Sequence, residues 1–141
     1  MRRTNGERGS QIVELAVSLP LLIFLTLAII DGGSLLHVHQ VINNSAREGA
    51  RLSSQPENKG ATTAIRSAVV QYAANNQVLI ATSNITVDQT QVITLPDGTI
   101  MTSSIVTINY PYYLNHLSKL PLFNIPNVVQ MGTFAQFRNL Y

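Results

Sequence analysis

Apolar residues fill almost every position from Ile12 to Ile30. As an α-helix rising about 1.5 Å per residue, this run would be roughly 28 Å long, close to the roughly 30 Å hydrocarbon core of a membrane. A helix that is apolar on every face fits a membrane better than the core of a small domain, which has few elements to surround it. The pattern therefore predicts a transmembrane helix that Pro20 bends without breaking.

The pattern becomes amphipathic beyond the span. From Val38 to Leu52, apolar and small residues recur at helical spacing along one stripe, which indicates that the first helix continues outward. A second helix is predicted from Ala61 to Ala74, and the pair Asn75–Asn76 suits a left-handed residue at its end.

After the second helix, apolar residues recur at about every second position. Alternation from Ile85 to Leu95 and again from Ile100 to Tyr110 predicts two strands joined by a turn at Pro96–Thr99, and a further strand is predicted over Val128–Arg138. The expected fold class is α+β. It combines a long N-terminal helix that crosses the membrane and extends outward, a second helix, and a small antiparallel sheet of three to four strands.

One connection is richer in apolar residues than a surface loop usually is. It reads YPYYLNHLSKLPLFNIP, from Tyr110 to Pro126, and it contains three prolines. This segment can fold back over the core, form an exposed docking surface for another protein subunit, or rest on the outer face of the membrane. The docking surface would consist of Tyr112, Tyr113, Leu117, Leu120, Leu122 and Phe123.

The charge balance agrees with a membrane protein. The chain is 45% hydrophobic and only 11% charged. Residues 1–9 hold three of the nine basic and one of the seven acidic side chains, which leaves six of each. Basic residues precede the span and Asp31 follows it, so the N-terminus is expected in the cytoplasm and the rest outside. Beyond residues 1–9 the only basic pair is Arg47 and Arg51, so nucleic acid is not an expected partner.

The candidates for chemistry are few. Cysteine is absent, which excludes disulfides and thiolate chemistry. His37 and His39 would lie about 200° apart on a helix and cannot share a metal ion, and His116 stands alone in the proline-rich connection. The sequence contains no nucleophile or phosphate-binding motif. Neither a catalytic residue, a metal site nor a cofactor is therefore expected.

Glu14 is the residue that most needs an explanation, because a charged carboxylate inside a bilayer costs several kcal/mol. It could reach back to the cytoplasmic headgroups. Alternatively, a cut between Gly9 and Ser10 would create an ammonium group four residues before Glu14, about one helical turn away. The two charges could then neutralise each other, within one chain or between neighbouring chains.

These features resemble a known family. A short basic leader, Gly9–Ser10 and a glutamate at the fifth position of an apolar helix resemble the processing site of type IV pilin-like proteins. Residues 8–54 resemble the TadE-like pseudopilins of the tight-adherence (Flp/Tad) pilus system. The matching segments are Arg8-Gly9, Val13-Glu14, Leu19-Pro20, Asp31-Gly32-Gly33 and Asn43-Asn44-Ser45-Ala46-Arg47-Glu48-Gly49-Ala50-Arg51.

The resemblance implies a pilin-like fold and a prepilin peptidase that cuts between Gly9 and Ser10 on the cytoplasmic side. The helix would then remain in the inner membrane. Glu14 would pair with the freed amino terminus during recognition by the assembly machinery or in the core of a filament. The implied partners are the prepilin peptidase, other pilin and pseudopilin subunits, the inner-membrane assembly platform and membrane lipid.

The expected organisation has three parts: residues 1–9 as a cytoplasmic leader peptide, residues 10–36 as the transmembrane helix, and residues 37–141 as an extracytoplasmic α+β domain. The expected function is that of a minor pilin-like subunit in pilus assembly and adhesion. The alternative is an uncleaved single-pass membrane protein whose outer domain binds or senses a ligand.

Overall fold

The computed structural model describes residues 5–120 and 124–141, with side chains from residue 9 onward. It has two helices and one antiparallel sheet with strand order β1-β2-β3, which confirms the predicted α+β class and sets the strand number at three among the described residues. The elements are α1 (Asn5–Ser53), α2 (Thr62–Asn75), β1 (Ile85–Thr94), β2 (Ile100–Tyr113) and β3 (Val128–Arg138). Short 3₁₀ turns lie at Pro56–Asn58, Thr82–Asn84 and Leu117–Lys119.

The chain divides into two compact units. The first consists of α1 up to Ser34 together with the connection Tyr113–Asn127. The second consists of Leu35–Tyr112 and Val128–Tyr141, and it contains α2 and nearly the whole sheet.

Helix α1 continues through Pro20 without a break. Hydroxyl groups along it donate to the carbonyl oxygen one turn earlier: Ser18 Oγ lies 2.7 Å from the Glu14 oxygen and Thr26 Oγ1 2.8 Å from the Leu22 oxygen. These bonds satisfy the polar side chains without water, which is what an apolar surrounding requires.

The core of the second unit forms where α1 and α2 pack against one face of the sheet. On that face, Ile85 pairs with Ile108 and Val87 with Val106 across the first two strands. The stripe predicted on α1 is buried at Val41, Ile42, Ser45, Ala46 and Gly49. The other buried apolar side chains among the described residues are Ala50, Ile65, Val69, Ala73, Val78, Ile80, Ile85, Val87, Val106, Ile108, Tyr112, Met131 and Ala135.

The turn between β1 and β2 forms as the sequence predicts. Gly98 has a φ of 82°, a left-handed conformation that glycine adopts without strain. Asp97 Oδ1 accepts a hydrogen bond from the Thr99 N–H at 2.9 Å. Earlier in the hairpin the register shifts between Asp88 and Gln91. There, hydrogen bonds from the Gln91 amide and from Thr90 hold the pKa of Asp88 below its ordinary value.

Two predicted element ends were wrong. The left-handed residue after α2 is Gln77, with a φ of 64°, whereas Asn76 has a φ of −102°. The Val78 N–H closes this cap on the Ala73 oxygen at 3.0 Å. Strand β2 ends at Tyr113 instead of Tyr110, because it continues beside β3 after its pairing with β1 has finished.

Candidate functional site

The predicted processing site lies near the start of α1. Gly9 and Ser10 are exposed and already helical. A Cβ atom built on Gly9 would meet no atom within 4 Å, so packing inside the described chain does not require glycine there.

Glu14 lies one helical turn beyond Ser10 and its side chain is exposed. Among residues 9–120 and 124–141, no donor is hydrogen-bonded to its carboxylate; only its backbone oxygen accepts a bond, from Ser18. The structure thus places Gly9, Ser10 and Glu14 on one stretch of helix, with all three exposed.

Almost nothing in the described chain packs against the apolar run of α1. No side chain between Ile12 and Ile30 is buried, and Val17 and Ile29 are 71% and 67% exposed. Within the described residues, α1 is the one helix long and apolar enough to cross a membrane. An exposed apolar surface of this size is unfavourable in water and indicates a contact with lipid or with other apolar helices.

A buried carboxylate follows this run directly. Asp31 is 1% exposed and accepts three hydrogen bonds from the connection after β2. Its Oδ2 accepts hydrogen bonds from the backbone N–H groups of Leu117 at 2.8 Å and of His116 at 3.1 Å. Its Oδ1 lies 2.7 Å from His116 Nδ1. The expectation that His116 stands alone was therefore wrong, because the fold brings it to a residue 85 positions away.

The connection itself is locally ordered around a 3₁₀ turn at Leu117–Lys119. The Leu114 N–H donates to the Asn127 oxygen at 2.9 Å, and Ser118 Oγ donates to the Leu114 oxygen at 2.6 Å. These bonds, together with those to Asp31, fix the part of the connection that the structure describes.

The residues of the predicted docking surface differ in their exposure to solvent. Tyr113 is 59% exposed, and Leu117 and Leu120 are half-buried. Tyr112 is only 6% exposed and belongs to β2, so it offers almost no free surface. Leu122 and Phe123 lie outside the described residues.

The histidines show no arrangement typical of a metal centre. His39 is hydrogen-bonded to Asn43 one turn along α1, at 3.2 Å between Nδ1 and Nδ2, and His37 is exposed. No group of three histidine or acidic side chains that could hold a metal ion occurs in the described parts of the chain.

Helix α1 is long, and its exposed apolar part is long enough to cross a membrane. Residues 9–51 match the family model of the TadE-like protein, so the predicted resemblance is confirmed over that segment. The match covers most of α1 and none of α2 or the sheet. No curated protein and no solved structure matches the chain.

Proposed function

We propose that this chain is a minor pilin-like subunit of a Tad/Flp type IV pilus that acts in pilus assembly and adhesion. Its first nine residues form a cytoplasmic leader, which a prepilin peptidase removes between Gly9 and Ser10. The observation that carries the proposal is the exposed Gly9–Ser10 pair one turn before the open carboxylate of Glu14, at the start of an uncovered apolar helix whose sequence matches the TadE-like family.

Cleavage gives Glu14 a partner of opposite charge. The new ammonium group at Ser10 lies one helical turn from the carboxylate, a separation at which side chains on a helix interact. A charged group without a partner is costly in a low-dielectric surrounding, and an ion pair offsets part of that cost. The pair forms within one chain or with the amino terminus of a neighbouring subunit, and in the second case it also sets the axial offset between the two helices.

The rest of α1 supplies the assembly surface. Its exposed apolar side chains contact lipid while the subunit waits in the inner membrane, and they pack against other pilin and pseudopilin helices when it assembles. Arginines before the span and Asp31 after it favour a cytoplasmic N-terminus and an extracytoplasmic second unit. In this role the inner-membrane assembly platform recognises the processed end of the helix.

Processing is tested by the mass of the protein isolated from its native envelope. We expect a mature N-terminus at Ser10, together with retention in the membrane fraction because the apolar helix follows the cut. Intact-mass and N-terminal peptide spectrometry measure this directly. A protein that keeps Met1 in cells that make the peptidase would contradict the proposal and would favour an uncleaved single-pass protein that binds or senses a ligand.

Glu14→Gln tests the ion pair, because it keeps the size of the side chain and removes its charge. We expect membrane insertion to be unchanged and the number of assembled pili to fall at least tenfold, which requires the pair to contribute only about 1.4 kcal/mol. Electron microscopy of the cells and sheared-pilus immunoblots measure the fall. The matched control is Glu57→Gln, which changes an exposed glutamate in the second unit. Equal piliation in the two variants would eliminate the proposed pair.

A further inference from the structure

The connection held by Asp31 carries a second inference, which rests on the membrane insertion proposed above. We propose that its described part from Tyr113 to Leu120, here called the interface loop, binds anionic phospholipid in the headgroup region of the outer leaflet. Asp31 holds the loop at that depth. The loop is then a second membrane contact of the subunit, separate from the span itself.

The depth of the loop follows from its bonds to α1. Asp31 is the residue directly after Ile30, the last residue of the apolar run, so in an inserted helix it lies where hydrocarbon gives way to headgroups. His116 and Leu117 are tied to the Asp31 carboxylate by bonds of 2.7 to 3.1 Å. The loop therefore stays within a side-chain length of this boundary.

The bonds also explain how a carboxylate is tolerated at this depth. A charged group at the edge of the hydrocarbon is unfavourable without partners. Two backbone N–H groups and one imidazole surround Asp31, and the side chain is almost completely enclosed. The three hydrogen-bond donors belong to the loop, so the same bonds stabilise the acid and fix the loop on the helix.

The surface of the loop has the chemistry of a membrane interface. Tyr113 is exposed, and its ring and hydroxyl suit the headgroup region, where tyrosine is enriched. Leu117 and Leu120 are partly exposed, while Lys119 and His116 provide polar or basic groups at the surface. Between Tyr113 and Asn127 the sequence contains no acidic residue, so nothing in this segment repels an anionic headgroup.

Lipid is favoured over another subunit as the occupant because of this position. Headgroups surround an inserted helix at the level of Asp31 whether or not a second chain is present. The combination of a tyrosine, a lysine and leucines with no acid complements an anionic lipid surface and requires no matching protein surface. A contact with another subunit remains a distinct outcome of the experiment below.

The absence of cysteine from the chain allows single fluorescent labels to be placed without removing native thiols. The full chain is reconstituted at one molecule per nanodisc, and in a parallel sample at two, in phosphatidylcholine with or without phosphatidylglycerol. Labels are placed at Leu120→Cys in the loop, at Ile29→Cys in the span and at Leu79→Cys, which is 82% exposed in the second unit. Quenching is measured with headgroup-attached nitroxide, acyl-chain nitroxide and aqueous iodide.

We expect headgroup nitroxide to quench the Leu120 label and iodide to quench it less than the Leu79 label, while acyl-chain nitroxide quenches the Ile29 label. Adding Lys119→Gln should lower the ratio of docked to undocked loop in phosphatidylglycerol about fivefold, the factor expected for one basic side chain near an anionic surface. Adding Asp31→Asn should raise iodide quenching of the Leu120 label to the level measured for the Leu79 label. Asp97→Asn, an acid in the β1–β2 turn, is the matched control and should change nothing.

Three results would overturn the inference. If iodide quenches the Leu120 label as strongly as the Leu79 label while the Ile29 label is lipid-quenched, the loop is not at the interface, although insertion stands. If the Ile29 label is not lipid-quenched either, the proposed insertion fails as well. If the Leu120 label is shielded only when two chains share one nanodisc, the loop contacts another subunit and not lipid.

Discussion

Replacement of Gly49 by valine should lower the free energy of unfolding of the second unit by about 3 kcal/mol or more, because the site has no room for a side chain. A Cβ atom at this position would overlap Val69 Cγ2 and lie 3.3 Å from Val106 Cγ1. Both neighbours are fully buried and β-branched, so neither can rotate away without loss of packing. Denaturant unfolding of the full chain in detergent, followed by near-ultraviolet circular dichroism, measures the change.

The matched control for Gly49 is another glycine of the same helix. A Cβ atom on Gly33 would meet nothing within 4 Å, so Gly33→Val should change the unfolding of the second unit little. A second test shortens the Val69 side chain, which would obstruct a Cβ atom at Gly49. Gly49→Ala combined with Val69→Ala should cost less than the sum of the two single changes, since the new methyl group occupies space that the valine vacates. Additive costs, or equal effects at the two glycines, would contradict this account of the packing.

Removal of the Asp31 carboxylate should have the second large effect, on the described connection after β2. In Asp31→Ala, we expect amide hydrogen exchange at His116 and Leu117 to accelerate by about 10- to 100-fold, because bonds to a charged acceptor contribute about 1.5 to 3 kcal/mol. Both amides now donate to the carboxylate, at 3.1 and 2.8 Å. Exchange followed by mass spectrometry on the full chain in nanodiscs measures the rates.

Two further variants test whether the Asp31 carboxylate itself protects these amides. His116→Phe removes the imidazole bond to Asp31 but keeps the two backbone donors, so it should accelerate exchange less than Asp31→Ala. Asp88→Asn changes an acid in β1, whose bonds are to Thr90 and Gln91, and should leave His116 and Leu117 unaffected. Unchanged protection of both amides in Asp31→Ala would show that the carboxylate does not hold the connection.

Much of the fold could be predicted from the sequence because its signals are local. A helix or a strand repeats its buried positions every few residues, so the stripe on α1 and the alternation at Ile85 and Val87 were readable without knowing their partners. The bounds of β3 were predicted to the residue, and the turn at Pro96–Thr99 formed as expected. Element ends set by packing were less predictable: β2 continues to Tyr113 because of its neighbour β3.

The candidate site shows the same division between local signals and long-range contacts. Gly9, Ser10 and Glu14 stay a prediction as a processing site, and the sequence could supply their spacing because the helix itself fixes it. The environment of Asp31 was not identified, and neither was the burial of Tyr112, since both depend on how distant segments meet. An acid directly after an apolar run was the only available signal, and it did not indicate which residues would enclose it.

The sequence by itself thus determined the apolar span, the class of fold, the family resemblance and the spacing between Ser10 and Glu14. These follow from the composition and from the spacing of residues a few positions apart, both of which can be read from the sequence before the chain folds. Only the tertiary structure decided that Asp31 accepts bonds from His116 and Leu117 and that Gly49 has no room for a side chain. Such contacts join residues far apart in sequence, and their geometry exists only after packing has brought the helices, the strands and the connection together.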